Sequence, residues 1–193
     1  MDEKETLHHY LRTRRAHLVG KLDGLAEYDI RRPMTPTGTN LLGLVKHVSS
    51  VELGYFGECF ARPSGLDLPW FEDDAEVNAD MWATADETRA DILALHDAAA
   101  AHSAATIEAL PLDATGEVPW WPEQRRHPTL HTVLVHMCVE MAHHAGHADI
   151  LRETIDGAIG RSVNDPNLPF SDSAEWRALH DRIEDAARQA AGR

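Results

Sequence analysis

Basic residues are scarce in this chain. Its 193 residues include 18 Lys and Arg against 32 Asp and Glu, a formal net charge of −14 at pH 7. A field of that sign repels nucleic acid and anionic membrane surfaces, and neither is expected as a partner. Long hydrophobic runs are also missing. None approaches the roughly 18 residues of a membrane span, and charge throughout the first twenty residues argues against a secretory signal. Only two cysteines occur, Cys59 and Cys138, without the spacing of a thiol metal site or a redox pair. On predicted helices they read as buried thiols rather than a disulfide, which fits a reducing cytoplasm. Low-complexity segments and internal repeats are absent. At this length one domain with a sizeable core is expected, and a small molecule is the expected partner.

Histidine, by contrast, is plentiful, with 13 copies. The stretch Thr129–Gly157, TLHTVLVHMCVEMAHHAGHADILRETIDG, has no proline and a single internal glycine before its last residue. Leu130, Leu134, Met137, Met141, Ala148, Leu151 and Ile155 recur at helical spacing and predict one long amphipathic helix. His144 falls in that seam, where a leucine would be expected. At roughly 100° per residue, Glu140 lies about 40° to one side of His144 and His147 about 60° to the same side. His136 and His143 sit further round, at about 80° and 100°. A carboxylate at a buried seam needs a partner, and a divalent metal shared with His144 would supply one. An open catalytic metal site takes about three protein ligands, so a further ligand must come from another helix.

The rest of the chain supplies a candidate. A first helix is expected from about Asp2 to Gly24, with His8, His9 and His17 solvated among its charges. The segment 31–40, RRPMTPTGTN, reads as a loop, with Thr39 or Asn40 capping a second helix to about Ala61. On that helix Leu41, Leu44, Val48, Val51 and Tyr55 form the seam. His47 borders it and is the best candidate for the missing ligand; Glu52 reads as a residue behind the ligands or on the surface. Residues 62–86 are irregular but carry Trp70, Phe71 and Trp82, and are expected as an ordered flap and a candidate pocket wall. Thr84 and Glu87 read as a capping box opening a third helix to about Leu110, whose His96 and His102 have no partner at ligand spacing. In the next loop, Trp120 and Trp121 stand between prolines. Arg125 and Arg126 beside them could hold a substrate carboxylate or phosphate. After Gly157 a turn-rich connection leads to a short final helix capped by Asp172 or Ser173. The expected fold is all-α: a four-helix bundle over about residues 2–157, with sites built from facing helices, and a C-terminal extension over 158–193.

The segments TPTGTNLLGLVKHVSSVELGYFGECF, NADMWATADE and VHMCVEMAHHAGHADILRETIDG resemble the actinobacterial branch of the DinB-like family, a likeness covering roughly residues 30–157. The resemblance implies a bundle, often dimeric, holding a divalent metal, usually zinc or nickel. His47 matches the family's ligand on the second helix, and Glu140 with His144 matches its Glu-x-x-x-His version, also seen in the related mycothiol-dependent maleylpyruvate isomerases. Where other members have glutamine this chain has His147, which is thus a fourth ligand or a general base. The implied activity is transfer of a low-molecular-weight thiol, mycothiol by analogy, to a small electrophile, with Trp70, Trp82 or Trp120 lining the pocket. Metal-dependent hydrolysis at the same site and a non-enzymatic metal-binding stress protein are the alternatives.

Overall fold

The computed structural model describes residues 1–160, 165, 167–170 and 172–192. Its described residues form helices and no strand; one isolated antiparallel bridge joins Thr115 and Thr129. They cluster into two compact units, Met1–Ala158 and Ile159–Arg193.

The first unit contains α1 (Glu3–Gly20), the short α2 (Glu27–Arg31), α3 (Leu41–Phe56), α4 (Arg89–Ala109) and α5 (Leu130–Asp156). Among the long helices, α3 packs on α4 and α5, and α1 packs on α5 and α4. This closes an all-α bundle around buried side chains that include Leu11, Leu18, Leu44, Val48, Met137 and Met141. Burying each such side chain contributes about 1.5–3 kcal/mol. The long helix α5 follows its pattern closely. Thr129 caps it by accepting from the Thr132 amide, and Gly157 ends it at φ 77°, a left-handed conformation that costs glycine nothing. Its seam is buried from Leu130 to Leu151, with Ile155 half-buried. Among the described residues no helix is long and apolar enough to cross a membrane.

Several boundaries differ from the sequence pattern. Helix α1 stops at Gly20 rather than Gly24, and the five-residue α2 follows it. Asn40 caps α3, but that helix ends at Phe56, where Gly57 adopts φ −99° and ψ −97°; a 3-10 turn at Glu58–Phe60 replaces the expected last turn. Helix α4 begins one turn late, with Thr88 and Asp91 as its capping box. Glu87 is instead committed elsewhere: it accepts from the Thr84 amide at 2.7 Å and pairs with the buried Lys46 at 2.7 Å. His17 is buried, not solvated, and contacts Asp149 at 2.8 Å. Glu52 is neither beside the candidate ligands nor on the surface. It is fully buried and paired with Arg15 of α1, whose guanidinium also donates to Ser103 of α4 at 2.7 Å.

The segment 62–86 is ordered by 3-10 turns at Pro69–Phe71 and Ala79–Met81. Lys46 of α3, 2 % exposed, holds it down. Its ammonium donates to the carbonyls of Ala79 at 2.9 Å and Trp82 at 3.1 Å and lies 4.1 Å from the centre of the Trp70 ring. The backbone comes close enough that a Cβ at Gly43 would sit 1.8 Å from the Met81 carbonyl oxygen. Gly43→Ala should therefore push the segment off α3 at a cost of about 1–3 kcal/mol. Thermal unfolding would register the loss, and a melting point equal to wild type would contradict this packing.

In the second unit, α6 (Ser173–Ala190) is capped by Asp172, which accepts from the Ala174 amide at 2.7 Å. Residues 161–164, 166 and 171 of the expected turn-rich connection lie outside the described residues.

Candidate metal centre

Helices α3 and α5 bring three side chains together across the bundle. One ligand atom each from His47, Glu140 and His144 lies within 4.8 Å of the others. Glu140 and His144 are one turn apart on α5 and project side by side, so His144 Nε2 lies 3.1 Å from Glu140 Oε1. From α3, His47 Nε2 lies 3.5 Å from the same oxygen. The two imidazoles meet edge to face at 4.9 Å between ring centres. His144 is buried; His47 and Glu140 are partly so.

Asp80 completes the arrangement. It lies in the 3-10 turn that Lys46 anchors, and its carboxylate is 2.6 Å from His47 Nδ1. A carboxylate on one ring nitrogen fixes the imidazole's orientation and aims the other nitrogen at the cluster, as second partners of metal-bound histidines do. Asp80 escaped the sequence reading because it is 33 residues from His47 and shares no helical spacing with it. The acids around Trp70 and Trp82 were visible; which of them turned inward was not.

The electrostatics follow from this geometry. Burial alone would lower the His47 pKa, but hydrogen bonds to Asp80 and Glu140 outweigh it and raise the value to about 9. Hydrogen bonds from His144 and His47 hold Glu140 well below the usual carboxylate range, against the effect of burial. Asp80 is likewise lowered, chiefly by its bond to His47. In the metal-free protein His47 is thus an imidazolium between two carboxylates. Because its folded pKa exceeds the ordinary 6.5, its contribution to stability is complete below about pH 6.5 and is lost as pH rises through about 9. The His47 ring protons of metal-free protein should titrate by NMR with a midpoint near 9, and Asp80→Asn should move that midpoint down. A wild-type midpoint near 6.5 would contradict the pairing.

The chemistry of the set fits a metal. Two imidazoles and one carboxylate form a common donor set for zinc and its neighbours, and three protein ligands leave a position open. Asp80 occupies the Nδ1 of His47 and leaves Nε2 for an ion. His144 Nδ1 is buried without a hydrogen-bond partner among the described residues.

Beside the triad lies a cleft of about 730 Å³ whose lining includes Glu140, Ser50, Tyr55, His136 and Trp120, with Leu66, Leu68 and Phe71 from the 62–86 segment. Trp120 is therefore a wall of the cleft. Trp70 is not; its indole N–H donates to Ser50 at 2.9 Å. Trp82 lines a separate groove with Arg31 and Asn40. Arg125 lies over the Trp121 ring at 5.6 Å, and Arg126 pairs with Glu123 at 3.3 Å. Neither arginine lines the cleft. His147 is exposed beside His144, at 5.4 Å between ring centres, and is not one of the three clustered residues. His136, one turn before Glu140, was passed over as too far round the helix. It reaches the cleft because Tyr55 and Trp121 form the wall its ring packs against, at 4.9 and 5.0 Å.

Comparison with curated proteins finds no match. A family model described as Mycothiol-S-transferase matches residues 6–157, a span that takes in all of α1 but its first three residues, α2 to α5 and all three clustered side chains. The chain belongs to the mycothiol-S-transferase family, a DinB-like family.

Proposed function

We propose that this protein is a metal-dependent thiol S-transferase that joins mycothiol to a small electrophile. The observation that carries the reading is the His47, Glu140 and His144 cluster opening through Glu140 onto a largely apolar cleft. These three residues hold the ion, with zinc the best match to the donors and nickel the alternative. When bound, a divalent ion supplies Lewis acidity that lowers the pKa of a neighbouring thiol.

The remaining roles belong to the chain. Asp80 orients His47. Leu66, Leu68 and Phe71 shield one side of the cleft from water and hold an apolar electrophile. His147 acts as general base. Burial first, then the nearby His143 and His144, lower its pKa, which keeps it neutral and able to take a proton at pH 7. The thiol gives its proton to His147, the sulfur forms a bond to the electrophilic carbon, and the leaving group departs with the displaced electron pair. The two free cysteines fit a reducing cytoplasm.

The test is thiol consumption by purified protein with mycothiol and 1-chloro-2,4-dinitrobenzene. Zinc-loaded protein should consume thiol above the uncatalysed rate. Chelation should remove that activity, zinc should restore it, and His147→Ala should lower it about 100-fold or more. A rate at background, or one indifferent to chelation, would overturn the proposal.

A further inference from the structure

Tyr55 carries a hydrogen-bond donor that the fold does not use. Its hydroxyl oxygen accepts from the indole N–H of Trp121 at 2.9 Å and of Trp120 at 3.3 Å. An indole can only donate, and a phenolic oxygen has two acceptor sites, so both are taken. The hydroxyl proton must therefore be given elsewhere. No acceptor for it stands among the described residues, although Tyr55 is only 5 % exposed.

Tyr55 lines the same cleft as Glu140. On α3, His47, Val51 and Tyr55 follow one another at four-residue spacing, so Tyr55 stands two turns, about 12 Å, from the candidate metal ligand. The packing of α3 against α5 places His136 beside Tyr55 and Glu140 beside His47. The cleft thus has a metal-ligating end and a hydrogen-bonding end, with Val51, Leu66, Leu68 and Phe71 among its walls.

Charge decides what the second end accepts. Among the described residues, Glu58 and Glu140 are the acidic side chains lining the cleft, and no Lys or Arg joins them. Arg125 does not line the cleft; it lies over the Trp121 ring at 5.6 Å, and after burial its charge also lowers the pKa of His136. A carboxylate or phosphate placed against Tyr55 would share the cleft with Glu58 and find no Lys or Arg in its lining to pair with, whereas a neutral oxygen would satisfy the hydroxyl at no such cost.

We propose that the cleft selects uncharged, largely apolar ligands, and that Tyr55 is a specificity-determining residue that donates a hydrogen bond to a neutral carbonyl or amide oxygen at the end remote from the metal triad. This rests on the thiol-transferase reading only for which substrate is meant, since it defines the class of acceptor molecule that the same site takes. It reverses the expectation that an arginine pair holds an anionic substrate.

The test compares two near-isosteric probes, 4-phenylbutanamide and 4-phenylbutanoate, by saturable quenching of the protein's tryptophan fluorescence. Neither thiol nor transfer is needed, so a failed transfer assay leaves this test intact, and failure here leaves thiol transfer untouched. The amide should bind at least about 10-fold more tightly than the carboxylate. Tyr55→Phe, which keeps the ring, should reduce that advantage severalfold. Glu58→Gln, on an exposed residue, should improve carboxylate binding and leave the amide unchanged, a result that damage to the fold would not produce. Binding of the carboxylate as tight as the amide in wild type, an amide advantage unchanged in Tyr55→Phe, or no saturable binding of either probe would overturn the proposal.

Discussion

His144→Ala should weaken zinc binding by at least about 100-fold, while His143→Ala should leave it nearly intact. Loss of even an outer partner of a metal-bound histidine costs about 10–100-fold, and losing one of only three ligands should cost more. The two histidines are sequence neighbours, yet α5 turns them about 100° apart. His144 is buried against His47 and Glu140. His143 is exposed, and its ring packs on that of His147 at 4.3 Å. His47→Ala should match His144→Ala, since each supplies one imidazole. Calorimetric titration of zinc into chelator-treated protein separates the cases. Zinc binding lost in His143→Ala but kept in His144→Ala would reverse the assignment of the inward face.

Glu52→Ala should destabilise the metal-free protein by about 3–5 kcal/mol. The Glu52 carboxylate is fully buried and held by Arg15, itself 4 % exposed. Removing one partner leaves a guanidinium in the core with Ser103 as its remaining side-chain hydrogen-bond partner among the described residues. For a unit of this size each kcal/mol is about 2–4 °C of melting temperature, so a fall of roughly 10 °C is expected. Replacing both partners by apolar residues of similar volume should recover much of the loss, because the pair is costly to bury even when intact. A single-mutant cost below about 1 kcal/mol would show that water reaches the pair.

These residues also mark how far the sequence could be read. Helix α5 was legible because its pattern is local: cap, seam and terminating glycine all lie within one stretch, and the spacing of Glu140 and His144 implies adjacency. His47 was legible as a seam-edge histidine in want of a partner. Lys46, next to it in sequence, was not, because a lysine on a helix is ordinarily solvated and its burial is explained by distant partners, the 62–86 segment and Glu87. Glu52 was misread for the same reason, its partner being 37 residues away on α1. Asp80 was hidden by its distance in sequence from His47, and Glu87 behind a local motif. The pairing of Thr84 with Glu87 does form, but Lys46 draws that carboxylate inward and α4 starts at Arg89 instead. The tryptophans and arginines were visible as a set, but backbone turns decide which of them face the cleft, and side-chain periodicity does not encode those turns.

His47, Glu140 and His144 are proposed to hold one divalent ion together. X-ray absorption on zinc-loaded, thiol-free protein tests it most directly. One zinc per chain should appear with two imidazole nitrogens and oxygen ligands at about 2.0–2.2 Å, and a single imidazole should be lost in His47→Ala protein that is forced to bind zinc at high concentration. A sulfur ligand at about 2.3 Å, which would implicate Cys59 or Cys138, or an imidazole count unchanged by His47→Ala, would contradict it.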